Sequence, residues 1–181
     1  MNEVQAIKSK ADINRMKRSL HGRDQLLFTL GINLGLRISD LLQLRVRDVV
    51  GRDFIDFTEQ KTGKRKRLTF NKSVKQAVKV LAPNTSKDAY LFANPRTGKP
   101  LSRVQAYRIL NDAADRAGLL AKYGAIGCHS MRKTFGYHSY QGGADITLLM
   151  AVFNHSSVAQ TLRYIGVTAD DIACVYEGVC L

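Results

Sequence analysis

The pattern of apolar residues along the chain predicts helices over most of its length. Between Gln25 and Leu34 leucines recur at the spacing of one helix face, and "RISDLLQL" opens a second helix with Ser39 as its cap. Residues 145–152 and 157–165 carry the same helical spacing and are joined through "FNHSS".

Three further helix starts are predicted by the capping-box pattern, in which a serine is followed three residues later by a glutamine. The pairs are Ser73–Gln76, Ser102–Gln105 and Ser157–Gln160. Each pair precedes an apolar run of helical period, so each serine is expected to cap a helix.

Between residues 49 and 70 the period changes from that of a helix to that of a strand. "RDFIDFTEQ" alternates strand-forming and polar residues, and "KRKRLTF" does so again after the turn "KTGK". We therefore expect one small antiparallel hairpin inside an otherwise helical protein. The predicted class is α+β, mainly α, and 181 residues without repeats or long linkers fit one compact unit.

The amino-acid composition indicates what kind of molecule the protein binds. The chain has 28 Lys and Arg against 15 Asp and Glu, a net charge of +13. Such an excess of positive charge indicates a polyanionic binding partner. Nucleic acid is the first candidate and an anionic membrane surface is the second. The N-terminus lacks the apolar core of a signal peptide, and the longest apolar run, "LLMAVF", is too short to span a bilayer. Three cysteines form no pair at metal-ligand spacing, so we expect reduced thiols in a cytoplasmic protein without a membrane partner.

The charge is unevenly distributed between the body of the chain and its end. Residues 165–181 contain three acids and no Lys or Arg, which leaves +16 on the residues before them. Within this tail Ile172, Val175, Tyr176 and Val179 have the spacing of a short amphipathic helix. So short a helix must dock, either on its own core or on a neighbouring subunit.

Basic residues are dense at the turn of the predicted hairpin. Two interpretations are open: a solvated edge protected by lysines, or a finger on a phosphate backbone, which the net charge favours. The residues are Lys61, Lys64, Arg65, Lys66 and Arg67.

Five polar residues stand where local structure gives them no obvious role. Taken singly, each has a simple explanation: Arg37 could pair with Asp40, and a tyrosine near a helix end is usually a half-buried anchor. Taken together, they suit phosphoryl transfer without a metal. The five are Arg37, His129, Arg132, His155 and Tyr164.

The chemistry needs charge neutralisation, a nucleophile and a proton donor. Guanidinium groups bind the non-bridging oxygens of a phosphodiester through paired hydrogen bonds. A tyrosine becomes a nucleophile when nearby cations lower its pKa from about 10. A lysine on the hairpin tip could protonate the leaving oxygen. The chain shows no carboxylate cluster for two metals, no G-x-S-x-G elbow and no glycine-rich phosphate loop, so no cofactor is expected.

These segments resemble, in their order, the tyrosine recombinase (phage integrase) family over residues 20–166. They are "GLRISDLLQL", "QKTGKRKRL", "HSMR", "NHSS" and "TLRYIG". The resemblance implies an active site that forms a 3′-phosphotyrosyl link to DNA and rejoins strands without ATP or metal. The implied residues are Arg37, Lys61, His129, Arg132, His155 and Tyr164.

Two positions depart from the family pattern, and one domain is missing from it. Asn154 stands where glycine often precedes the histidine, and Lys133 stands where histidine is frequent. Family members usually carry a helical DNA-clamping domain before the first arginine, where this chain has about 20 residues. We therefore expect a catalytic domain at 1–166 and a tail helix at 167–181, with the N-terminal clamp domain absent. Two interpretations are open: a minimal recombinase, or the catalytic half of a longer chain.

The resemblance also implies contacts with DNA and between subunits. In the family the helix after a turn like "GKPLS" lies in the major groove, which assigns Arg103 and Gln105 to DNA. Members exchange C-terminal segments in cyclic assemblies, so we expect a homo-tetramer on double-stranded DNA, with accessory DNA-bending proteins as further partners.

The expected function is therefore site-specific recombination or integration of a mobile element. One alternative is a type IB topoisomerase-like enzyme, which has the same chemistry without synapsis. The other is a catalytically silent DNA-binding regulator, which the presence of all six expected residues disfavours.

Overall fold

The computed structural model describes residues 4–168 and residue 171. This part of the chain contains ten helices and one two-stranded antiparallel sheet, which confirms the predicted α+β, mainly α class. The elements are α1 Lys10–Arg18, α2 Gly22–Leu34, α3 Ile38–Leu42, α4 Val46–Val49, β1 Phe54–Thr58, β2 Arg65–Thr69, α5 Lys72–Leu81, α6 Arg103–Arg116, α7 Leu120–Tyr123, α8 Cys128–Gln141, α9 Ile146–Phe153 and α10 Val158–Ile165.

Helix α2 forms the centre of the main core. Five consecutive residues, Leu26 to Leu30, are buried, so this helix is surrounded by protein on all sides. Helices α5 and α8 pack on it, and a helix that is apolar all round is stable only in such a buried position.

Two glycines let α8 approach the end of α2 closely. A Cβ atom at Gly31 would lie 2.4 Å from the sulfur of Met131, and one at Gly35 would lie 2.4 Å from the ring of Phe135. Gly35 also has a φ of 60°, the left-handed conformation that suits glycine at a helix end. The chain thus turns from α2 to Arg37 directly beside α8.

The hairpin is confirmed where the strand-like period predicted it. Strands β1 and β2 pair antiparallel from Phe54 opposite Thr69 to Thr58 opposite Arg65. Ile55 is buried and Leu68 partly buried against the main core, while alternate side chains face solvent. One face is therefore anchored, and the basic turn at residues 59–64 extends beyond it.

Two of the predicted helix caps are confirmed. Ser102 accepts a hydrogen bond from Gln105 N, and the Gln105 side chain returns to Ser102 N, a complete capping box. Ser157 accepts from Gln160 N, but the Gln160 side chain accepts from Ser156 N instead.

Two other predicted caps are wrong, because a different residue occupies the N-cap position of each helix. Asn71, not Ser73, caps α5, and its side chain accepts a hydrogen bond from Val74 N. Ser39 lies inside α3, where Arg37 occupies the cap position without a side-chain cap bond.

A second, smaller apolar cluster joins α8, α9 and α10. Its buried members are Leu149, Phe153 and Ile165, and Tyr164 packs against them. Gly136 of α8 marks the closest approach, because a Cβ atom there would lie 2.6 Å from both Phe153 and Ile165. This cluster therefore sets the spacing between α8 and the tyrosine-bearing helix α10.

Replacing Gly136 with valine is expected to lower the free energy of unfolding by about 1–3 kcal/mol, the usual cost of overpacking. The exposed Ala151→Val on α9 is the control, with an expected cost below about 1 kcal/mol for a β-branched residue in a helix. Urea denaturation of both variants measures the difference. Equal stabilities would contradict the close packing at Gly136.

The predicted tail helix lies outside the described residues, apart from residues 167, 168 and 171. The Asp171 carboxylate accepts hydrogen bonds from Lys8 Nζ at 2.9 Å and from the Tyr137 hydroxyl at 3.1 Å. Burial opposes ionisation, but these bonds and those from Thr168 lower the pKa of Asp171 to about 2. The start of the tail thus contacts α8 and the N-terminal segment of its own chain.

Among the described helices, none has the length and apolar content needed to cross a membrane.

Candidate active site

Tyr164 lies in the last turn of α10 with its ring half-buried between aromatic neighbours. Its ring centroid lies 4.9 Å from that of His155 and 5.2 Å from that of Phe153. The ammonium group of Lys133 lies 5.3 Å from the ring centroid, a cation–π distance. Three segments of the chain therefore meet at this tyrosine.

The pKa of Tyr164 is raised above its usual value, whereas the sequence predicted that it would be lowered. Burial raises it, although the charge of Arg132, a hydrogen bond from Arg132 and the charge of Arg37 all oppose the rise. The nearby cations do lower the pKa, as expected, but the net shift is upward because burial outweighs them. The physical reason is that loss of hydration penalises the phenolate more than the two guanidiniums stabilise it.

His155 is held by a residue of the helix that also carries Tyr164. Its Nδ1 lies 3.1 Å from Thr161 Oγ1, and the Thr161 hydroxyl donates to the carbonyl of Ser157. Since that hydroxyl proton is already used, Nδ1–H donates to Oγ1, and Nε2 keeps its lone pair. Burial, followed by the charges of Arg132 and Arg37, lowers the pKa of His155.

Arg132 is deeply buried, with 6% of the residue exposed. One end of its guanidinium donates to the carbonyl of Gly35, and the other lies 3.4 Å from the carbonyl of Val152. Its central carbon lies 4.8 Å from the ring centroid of Phe153. Arg132 thus connects the end of α2 to the end of α9, and burial lowers its pKa.

Arg37 pairs with a carboxylate that the sequence interpretation did not consider. Its Nη1 lies 2.9 Å from Oε2 of Glu59, whereas no ion pair to Asp40 forms. The buried Asp40 instead accepts a hydrogen bond from Gln60 N through one oxygen, and its other oxygen has no hydrogen-bond partner among the described residues. The proposed Arg37–Asp40 pair is therefore replaced by an Arg37–Glu59 pair.

The carboxylate of Glu59 also contacts the second strand of the hairpin. Lys66 Nζ donates to Glu59 Oε1 at 2.8 Å and to the carbonyl of Val152 at 2.8 Å. Lys66, expected on the DNA-binding tip, is therefore half-buried and points into the same group as Arg37.

The other basic residues of the hairpin are exposed. Lys64 Nζ donates to the side chain of Asn154 at 3.0 Å. The side chains of Lys61 and Arg65 make no hydrogen bond or ion pair within the described residues. Lys61 is thus available at the turn, and the structure brings no fixed partner to it.

His129 lies close enough to Arg132, Arg37 and the start of the predicted DNA-contacting helix for their charges to act on it. His129 lies at the surface in the first turn of α8; partial loss of hydration around its ring, followed by the charge of Arg103, lowers its pKa. Arg103, at the start of α6, is exposed as well, whereas the carbonyl of the Gln105 side chain is used in its capping box. The described residues include no group of three or more His, Cys, Asp or Glu that could hold a metal.

Sequence reasoning missed Glu59, a buried carboxylate of this site. Asp40 and Lys133 were noted, as a partner for Arg37 and as a departure from the family pattern, but not as site residues; Asp40 is also buried and Lys133 lies over the Tyr164 ring. Glu59 carries a usable signal, since it is the one acid in the otherwise basic stretch 59–67. Its burial depends on packing against α9 and could not be anticipated from that stretch.

Comparison with known proteins supplies the family. A family model described as the phage integrase family matches residues 1–170. The probable integrase/recombinase YoeC of Bacillus subtilis (strain 168) is 44% identical over 180 residues, which cover 98% of this chain and 97% of that protein. Tyrosine recombinase XerD of Corynebacterium glutamicum is 34% identical over 162 residues, covering 86% of this chain but 52% of that protein. The chain thus spans nearly all of the first relative and about half of the second.

Solved structures share the fold at lower identity. The XerA recombinase has a TM-score of 0.77 at 20% identity, covering 98% of this chain and 64% of that one. The Tn1549 transposon integrase in complex with a circular intermediate DNA has a TM-score of 0.75 at 19% identity, covering 99% and 67%. With the family model spanning most of its length and a relative similar from end to end, the chain belongs to the phage integrase family of tyrosine recombinases.

Proposed function

We propose that this chain is a site-specific DNA recombinase that cuts and rejoins strands through a covalent link at Tyr164. The Tyr164 oxygen forms a bond to the scissile phosphorus while the bond from phosphorus to the 5′-oxygen breaks. The phenol loses one proton and the 5′-oxygen gains one, so the energy of the phosphodiester is kept in the 3′-phosphotyrosine. No ATP is needed for rejoining.

The observation that carries this proposal is the convergence of separated segments on Tyr164. Arg132 from α8, His155 from the loop before α10, and Arg37 after α2 all act electrostatically on the tyrosine or contact its ring. We assign both arginines to the non-bridging phosphate oxygens, where paired N–H donors stabilise developing charge. His129 and His155 complete the set as hydrogen-bond partners of phosphate; His155 donates once Nε2 takes up a proton, because its Nδ1–H is already bound to Thr161.

We assign proton donation to the 5′-oxygen to Lys61. Its exposed position on the hairpin turn and its lack of a partner among the described residues suit a group that must reach the leaving oxygen. Lys66 is less suited, because its ammonium group already donates to Glu59 and to Val152.

Double-stranded DNA is the proposed partner, and the exposed Lys64, Arg65 and Arg103 are proposed to contact it. Lys66 and Gln105, expected there as well, have their side chains engaged by Glu59 and by Ser102 N. The net charge of +13 and the exposed basic turn support electrostatic binding of the backbone. We also propose a tetramer on DNA, with 167–181 docking on a neighbouring subunit and with accessory DNA-bending proteins. The named relatives are recombinases and integrases, which favours strand exchange over the topoisomerase alternative.

A nicked duplex that loses its 5′ fragment after cleavage tests this function, because religation is then blocked. The recombination site is first selected from a random DNA library by binding. We expect a covalent protein–DNA adduct without added metal or ATP, and mass spectrometry of the nuclease-treated peptide should place the phosphate on Tyr164. DNA bound tightly at that site without any adduct would favour the silent regulator instead.

A further inference from the structure

Glu59 is a buried anion at the centre of the cationic site. Only 2% of the residue is exposed, although it directly follows the first strand of a basic hairpin. Four side chains from three parts of the chain contact its two carboxylate oxygens at 2.6–2.9 Å, namely Lys66, Arg37, Asn154 and Thr62. A carboxylate so surrounded is a structural counter-ion and not a solvated surface acid.

The surrounding cations need an anion in order to remain together. Burial disfavours ionisation of Glu59, but the hydrogen bonds from Lys66 and Thr62, together with the ion pair to Arg37, outweigh it and lower its pKa to about 2. Arg37 and Arg132 are close enough for the charge of Arg37 to lower the pKa of Arg132. Without a negative charge among them, the buried cations would repel one another.

The contact between Arg37 and Glu59 is the least well aligned of the four. Arg37 Nη1 is buried and lies 2.9 Å from Glu59 Oε2. The N–H bonds of this nitrogen nevertheless point at no acceptor among the described residues, so the contact is an ion pair without a hydrogen bond. Lys66, Thr62 and Asn154 instead make directed hydrogen bonds to the same carboxylate. Arg37 therefore has unused donor capacity for a second anion.

Asn154 extends the link from Glu59 to the segment that carries His155. It is the one non-glycine residue with positive φ within the described ranges, and its side chain donates to Glu59 and accepts from Lys64. The glycine usual at this position in the family has no side chain for such contacts. In this chain the hairpin and the loop before α10 are thus joined through one carboxylate.

We propose that Glu59 is a positioning residue that stands in for the scissile phosphate before DNA binds. It holds Arg37 and Lys66 in place as their counter-ion, and it yields Arg37 to the phosphate when DNA arrives. This inference rests on the proposed function, since it takes the anion recognised by Arg37 to be a DNA phosphate. Glu59 therefore competes with the phosphate for Arg37, because a fixed negative charge beside the phosphate weakens anion binding.

The test compares Glu59→Gln with wild type in the affinity for inorganic phosphate. Thermal unfolding is followed at increasing phosphate concentration, with chloride adjusted to keep the ionic strength constant. We expect Glu59→Gln to be less stable than wild type in chloride alone. We also expect it to bind phosphate at least about tenfold more tightly, since a full charge a few Å away is removed.

Asp56→Asn is the matched control. It removes one negative charge from the same hairpin, but Asp56 is exposed and pairs with Arg67 at 2.7 Å. Its phosphate affinity should stay within about twofold of wild type, because an exposed pair is well screened. Equal gains in Asp56→Asn and Glu59→Gln, or no gain in either, would overturn the proposal.

A failure of Glu59→Gln to fold in chloride also gives an answer. Phosphate is then expected to restore folding, and a variant unfolded in both buffers would contradict the stand-in role. The readout does not involve strand cleavage, so it is separate from the adduct experiment. An absent phosphate effect beside an intact Tyr164 adduct rejects the role of Glu59 alone, whereas an absent adduct rejects the proposed function.

Discussion

Replacing Tyr164 with phenylalanine is expected to reduce covalent adduct formation on the nicked duplex to below detection. The change removes the one oxygen that can bond to phosphorus in the proposed reaction, and no neighbouring hydroxyl is positioned by the same aromatic contacts. The phenylalanine ring keeps the packing on His155 and Phe153, with ring centroids 4.9 and 5.2 Å away in the native protein. Folding and DNA binding should therefore persist.

The control for this change is Tyr140→Phe, since Tyr140 is partly buried in the same apolar cluster but lies outside the site. It should form the adduct at the wild-type rate. Denaturing gel electrophoresis measures the adduct, and a mobility-shift assay measures DNA binding. An adduct that survives in Tyr164→Phe would show that another residue is the nucleophile.

Replacing Arg132 with lysine is expected to slow strand cleavage by about 10²- to 10³-fold, the usual effect of losing one preorganised donor to developing charge. Lysine keeps the positive charge but lacks the planar fork that contacts the Gly35 and Val152 carbonyls at once. The loss should appear in the rate of adduct formation at saturating DNA, with a much smaller change in DNA affinity.

Arg163→Lys provides the comparison for Arg132→Lys. Arg163 is exposed on α10, one residue before the tyrosine, so the same chemical change is made outside the site. Its cleavage rate should remain within a few-fold of wild type. Single-turnover kinetics on the nicked duplex separate the two variants, and equal rates for both would remove Arg132 from the proposed mechanism.

Much of the fold could be predicted because its signals are local. The period of the apolar residues identified the hairpin and the helix that carries Tyr164, and these were confirmed, whereas the helix that carries Arg132 was not predicted from it. The wrong predictions also concerned local features, namely the residues that cap two of the helices. Ser73 and Ser39 have the residue type of a cap, but Asn71 and the extended backbone at Arg37 start those helices, because several polar residues competed for the same position.

The partners of the site residues could not be predicted in the same way, since they come from distant positions. Glu59 meets Asn154 across 95 positions of sequence, and Lys66 meets the Val152 carbonyl across 86. No periodicity links such residues, and Asp40 was the natural candidate for Arg37 because it is close in sequence. Only the packing of the hairpin on the end of α9 selects Glu59.

By itself, the sequence determined the class of fold, the excess of positive charge, and the ordered set of arginines, histidines and tyrosine that indicates the family. Those properties depend on residue type and spacing along the chain. The tertiary structure decided which carboxylate balances Arg37, and that burial raises the pKa of Tyr164 despite two nearby guanidiniums. Both depend on how much water each group loses on folding, which is set by long-range packing and not by neighbours in sequence.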